Sequence, residues 1–172
     1  MNLLATAPYW ALAVLVVALL AAAIEDAARL RISNLTCLVV LVAAIAAAVA
    51  VGPSSVIWQN VAVFAIVLAL GTGAFAAGLL GGGDVKLLAA VGLWADLRTA
   101  VWLIALVFIS GGVVALAYLM SRPFRRSRSK DRRVPYGIAI AVGAIAVIGF
   151  AHAPSGDHQR PVPPFKLNPS HR

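Results

Sequence analysis

Apolar runs close to the thickness of a bilayer recur along almost the whole chain, and no other feature restricts its fold so strongly. A spanning helix needs roughly 20 mostly apolar residues, and the runs near 8–24, 35–51, 56–80, 85–95, 99–120 and 134–151 meet or approach that length. The chain is 62% hydrophobic and only 12% charged, where soluble domains carry about a quarter charged residues. It therefore reads as an all-α, polytopic membrane protein with about six transmembrane helices. The fourth run is short at a rise of about 1.5 Å per residue, so a tilted or partial helix is expected after the Gly-rich turn. Gly52-Pro53-Ser54-Ser55 separates the second run from the third, and Asp96-Leu97-Arg98 the fourth from the fifth. The first run has no basic stretch ahead of it and ends in Ile24-Glu25-Asp26, which points to a retained span rather than a cleaved signal peptide.

The formal charge of +8 is concentrated at one membrane edge, where Arg122, Arg125, Arg126, Arg128, Lys130, Arg132 and Arg133 share a short loop. That pattern marks a cytoplasmic connection, with contact to anionic lipid headgroups as a secondary benefit, and it gives no reason to expect nucleic acid. An even number of spans separates this loop from the connections at 25–34 and 81–86, so all three are expected on the cytoplasmic face. Arg29, Arg31 and Lys86 agree with that orientation, whereas Arg98, Arg160, Lys166 and Arg172 oppose it more weakly. The chain divides into a transmembrane domain over 1–151 and a Pro-rich tail over 152–172 with too little apolar surface to order itself. His152, His158 and His171 are scattered and expected to be solvated. Cys37, the single cysteine, lies in an apolar run, which excludes an internal disulfide and a cysteine-based zinc site. No metal or other cofactor is expected.

Gly81-Gly82-Gly83-Asp84-Val85-Lys86 places an acid and a base between two apolar segments. A carboxylate at membrane depth costs about 2.5–3.5 kcal/mol even on the mild insertion scales, so it marks a functional site by default. Three bare glycines would let another chain approach the backbone closely, which suits Gly81, Gly82, Gly83 and Lys86 to substrate binding. The plainer alternative is a turn in which Asp84 caps the next helix and Lys86 is solvated. The chain holds six acids: Glu25, Asp26, Asp84, Asp96, Asp131 and Asp157. Asp131 sits among arginines, Asp157 in the tail, and Asp96 at the opposite face beside Arg98, where a local turn explains it. Glu25, Asp26 and Asp84 remain for the cytoplasmic face.

Two carboxyls close together at a partly dry site cannot both ionise cheaply, so they share a proton. One can then take a proton from an attacking water while the other donates to the carbonyl oxygen. Other chemistries lack their parts: Ser, Thr and Cys37 have no histidine base within the spans, and there is no phosphate loop ending in Gly-Lys-Ser or Gly-Lys-Thr. Glu25 and Asp26 are neighbours and point about 100° apart on a helix, so only one of them can face Asp84 squarely.

Asp26-Ala27-Ala28-Arg29-Leu30-Arg31-Ile32-Ser33-Asn34, followed by GGGDVKLLAAVGLW and then by Val134-Pro135-Tyr136-Gly137-Ile138-Ala139-Ile140-Ala141-Val142-Gly143, resembles the prepilin peptidases, membrane aspartyl proteases of the GxGD class. The likeness is greatest to the short peptidases of tight-adherence (Flp-type) pilus systems. The resemblance implies Asp26 and Asp84 as the catalytic aspartates. It also implies a type IV prepilin-like precursor as substrate, cut after a glycine and ahead of a hydrophobic helix on the cytoplasmic face of the bacterial inner membrane. The lipid bilayer and other pilus-assembly proteins are the remaining implied partners. Ser33 and Ile138 stand where the family commonly has proline, and the chain lacks the cytoplasmic CxxC-containing insert of the larger bifunctional enzymes, so methylation is not implied. Two other readings use the same acids: a small proton- or cation-coupled transporter subunit, against which no internal repeat is visible, and an inactive pilus-assembly scaffold, which would have no need to keep both acids.

Overall fold

The structure, a computed structural model, describes residues 1–121 and 136–153. Among them all regular structure is helical: α1 Leu3–Thr6, α2 Tyr9–Arg29, α3 Asn34–Val51, α4 Ile57–Ala76, α5 Gly82–Gly92, α6 Leu97–Ser121 and α7 Tyr136–His152. The basic loop with Asp131, Val134 and Pro135, and the tail residues Asp157, His158, Arg160, Lys166, His171 and Arg172, lie outside the described residues. Helices α2, α3, α4 and the Leu97–Ala117 stretch of α6 are each long and apolar enough to cross a bilayer, while α7 is apolar but shorter.

Six helices fall on the six apolar runs, with three differences that matter for the site. The first run stays helical past Ile24, because nothing in Glu25–Arg29 breaks it and Arg29 complements the negative end of the helix dipole. It stops at Leu30, which adopts the left-handed conformation (φ 52°) and donates its N–H to the Asp26 carbonyl at 2.9 Å. Helix α4 ends at Ala76, short of Leu80, where Gly78 turns at φ 72°. Helix α5 begins at Gly82 rather than Val85, so Asp84 lies in its first turn instead of ahead of it.

At 11 residues, α5 is about 16 Å long and crosses only half a bilayer. It packs against α3, α4 and α7, and Val85, Leu87, Ala89, Ala90 and Val91 on it are buried. Next to the residues that follow α5 lies α1, a short helix that the apolar pattern does not announce and that packs on α3 and α7. Leu3 and Leu4 are 1% and 0% exposed there. Three tethers fix the lower end of α5: the Leu4 N–H donates to the Trp94 carbonyl at 3.3 Å, Asn60 Nδ2 to the Leu93 carbonyl at 2.9 Å, and Trp94 Nε1 to the Val40 carbonyl at 3.2 Å. Each satisfies a polar group in a setting where an orphan would cost several kcal/mol. Pairing of α2 with α3 and α7, and of α6 with α7, completes the bundle.

Candidate active site

Asp26 continues the inward stripe of α2. Ala11, Leu15, Ala18, Ala22 and Asp26 are buried at spacings of three or four, the repeat of one helix face, and Asp26 is 4% exposed. What it meets is the start of α7, whose first N–H groups have no partner within their own helix. The Gly137 N–H donates to Asp26 Oδ2 at 2.6 Å, and the amide of Ile138 bears on the same carboxyl. This approach requires glycine: a Cβ on residue 137 would lie 2.9 Å from both Cβ and Oδ2 of Asp26 and 3.0 Å from Ile32 Cδ1. Glu25, one position round the helix, turns elsewhere. Its Oε2 accepts the Ser33 N–H at 2.8 Å and the Thr36 hydroxyl at 3.2 Å.

Asp84 stands at the third position of α5 and folds back so that Oδ2 accepts the Gly81 N–H at 3.2 Å, the acidic half of a capping box. The cap residue itself is Gly81, not Asp84. Burial first, and then the negative charge of Asp26, push the Asp84 carboxyl up to about 6 against the opposing Gly81 N–H. The two acids, 58 positions apart in sequence, are thus near enough for one charge to act on the other. Both sit at helix N-termini, of α7 and α5, where positive dipole ends face a carboxylate.

The three glycines do not offer the open backbone that the sequence suggests. Gly82 and Gly83 are helical. A Cβ on Gly81 would lie 2.6 Å from Asp84 Oδ2, one on Gly83 3.1 Å from Ile32 Cβ, and one on Gly82 3.5 Å from the Phe75 ring, so these bare positions admit neighbours within the molecule. Lys86 is exposed and donates to Asn34 Oδ1 at 2.9 Å, tying α5 to α3. Beside it an apolar groove of about 370 Å³ runs between α3, α4 and α5 past Leu41, Phe64 and Leu68. Asp96, read as a local turn, accepts the Thr99 N–H at 2.8 Å at the start of α6 and takes no part in the site. Cys37 is buried, its Sγ 3.8 Å from the Gly83 carbonyl. Gly137, Ile32 and the bonds of Glu25 are the site features that residue types alone did not disclose. The periodic stripe ending at Asp26 was the available signal for its direction.

A helical bundle with several bilayer-length spans and two carboxyls gathered at one end defines a polytopic membrane protein with an acid-pair site. The model of the type IV leader peptidase family matches residues 13–116, a stretch that carries both Asp26 and Asp84. The chain belongs to that family, and is accordingly a protease of the prepilin peptidase kind. No curated protein and no solved structure matches it significantly.

Proposed function

We propose that the chain is an aspartic endopeptidase of the bacterial inner membrane that removes the leader of Flp-type prepilin-like precursors at the cytoplasmic face, with Asp26 and Asp84 as its catalytic pair. The observation that carries this reading is the convergence of two otherwise expensive carboxyls, from α2 and α5, at one end of the bundle, where the charge of Asp26 raises Asp84. Asp84, raised by burial and by the charge of Asp26, carries the shared proton in the active form and donates it to the scissile carbonyl oxygen. Asp26 accepts a proton from the attacking water. Water adds directly to the carbonyl carbon with no covalent enzyme intermediate, and the tetrahedral adduct collapses with cleavage of the C–N bond as Asp26 passes its proton to the leaving amine and Asp84 recovers its own. Lys86 acts on the substrate side, with the groove next to it open to the apolar helix that follows the cut. The domain over 1–151 suffices for this chemistry, and the tail over 152–172 takes no part.

The test is conversion of precursor to product in membranes holding equal amounts of each variant, with the product N-terminus sequenced. Asp26→Asn and Asp84→Asn each lose cleavage by several orders of magnitude, and the double variant loses little more than either, because groups that act as a unit are strongly non-additive. Near-normal processing by either single variant refutes the two-aspartate mechanism. A transporter would instead show altered flux with processing untouched.

A further inference from the structure

We infer that Glu25 and Ile32 are positioning residues of this peptidase: Glu25 clamps the turn between α2 and α3 so that Ile32 stands as a spacer between the backbone bearing Asp84 and the backbone that holds Asp26. The inference rests on the catalytic assignment proposed above.

The turn is short and strained. Leu30 lies at φ 52°, a left-handed conformation that side-chain-bearing residues uncommonly adopt, and it persists where its surroundings hold it. Glu25 supplies that constraint. From the last turns of α2 it reaches across to take the Ser33 N–H at 2.8 Å and the Thr36 hydroxyl at 3.2 Å, while Ser33 Oγ accepts the Thr36 N–H at 3.1 Å and caps α3. Both ends of the link from Leu30 to Ser33 are thereby fixed, and Ile32 between them is driven into the bundle. The Cβ, carbonyl oxygen and nitrogen of Ile32 lie 3.1, 3.3 and 3.4 Å from where a Gly83 Cβ would stand, and its Cδ1 lies 3.0 Å from where a Gly137 Cβ would stand. Gly83 adjoins Asp84, and Gly137 is the donor to Asp26. One residue therefore lies against the supports of both acids, with its backbone and Cβ towards Gly83 and its Cδ1 towards Gly137, and its position sets their separation.

The clamp needs an acceptor at residue 25, not a charge. Glutamine keeps one, and alanine does not. Ser33 holds φ −73° and ψ 145°, angles that proline adopts without strain, so Ser33→Pro fixes the same backbone while removing the N–H that Glu25 binds. In that background Glu25 has lost its main partner.

The experiment measures kcat and KM of the full-length enzyme on a prepilin-like precursor, per folded molecule. Glu25→Ala and Ile32→Ala lower kcat about 10- to 100-fold, the scale of a sub-ångström to 1 Å misplacement of reacting groups, with KM unchanged. Glu25→Gln and Ile32→Val keep most of the wild-type kcat, and in Ser33→Pro the further change Glu25→Ala costs no more than Thr36→Val does alone. Thr36→Val, which removes one donor and leaves α3 intact, gives a smaller fall in kcat at unchanged KM and serves if Glu25→Ala does not accumulate. Wild-type kcat in Glu25→Ala or in Thr36→Val, or an equal loss in Glu25→Gln and Glu25→Ala, overturns the clamp. Wild-type kcat in Ile32→Ala overturns the spacer. Asp26→Asn and Asp84→Asn run alongside: cleavage retained by either defeats the catalytic assignment itself, whereas their loss together with normal kcat in Glu25→Ala defeats the positioning role alone.

Discussion

Replacing Gly137 with alanine adds one methyl group at the tightest point of the site. The new Cβ would stand 2.9 Å from Asp26 Cβ, 2.9 Å from Asp26 Oδ2 and 3.0 Å from Ile32 Cδ1, each well inside the roughly 3.5–4.0 Å of normal carbon contact. Asp26 Cβ is fixed to the α2 backbone and cannot rotate away, so α7 and α2 must separate or the Asp26 carboxyl must swing off the Gly137 N–H that it now meets at 2.6 Å. Overpacking of this kind costs about 1–3 kcal/mol. If that energy falls on the arrangement of the acids, it corresponds to about 5- to 150-fold in rate. Gly112→Ala is the control, since a Cβ there meets nothing within 4 Å. The assay is precursor cleavage per folded molecule, with the thermal midpoint of each detergent-solubilised variant measured in parallel. Gly137→Ala should fall clearly below Gly112→Ala in rate, in midpoint or in both. A variant matching that control in both would refute the close approach of Asp26 to α7.

Asp84, raised from 3.8 to about 6, binds its proton more tightly in the folded state, so stability falls as pH rises through that window and the loss is complete above about pH 6. Asp84→Asn lacks this loss and should melt higher than wild type near pH 7.5 but not near pH 4; a difference independent of pH would refute the shift. Asn60 is 2% exposed and donates to the Leu93 and Met1 carbonyls. Asn60→Leu should therefore destabilise by about 1–3 kcal/mol without changing kcat per folded molecule, and an unchanged thermal midpoint would argue against the network. With Cys37 replaced, Arg128→Cys should resist a membrane-impermeant reagent applied from outside, as loop charge asymmetry requires; ready labelling would invert the topology.

The spans were legible because bilayer thickness imposes its length on any helix that crosses it, and the short fourth run announced the half-span α5. Asp26 was legible in the short list of acids left for the cytoplasmic face and in the resemblance, whereas the stripe through Ala18 and Ala22 that aims it inward went unread. Helix α1 was not, since four residues carry no periodicity and its burial depends on packing against α3 and α7. Glu25 illustrates the limit of reading by residue type. Its chemistry equals that of its neighbour, and only the turn of α2 separates a carboxyl aimed at α7 from one that ties down Ser33. The glycines at 81–83 show the converse, because bare backbone reads equally as room for a ligand or as room for Asp84, Ile32 and Phe75.

The anchored base of α5 fixes how deep the acids lie. With residues 93 and 94 fastened to three other helices, Asp84 sits a set number of helical rises above that anchor and cannot slide along the membrane normal. On the proposed reading the enzyme therefore works as a depth gauge: it cuts whichever peptide bond the substrate's polar-to-apolar boundary brings to that level, and moving the boundary by a residue or two selects how readily a precursor is cut.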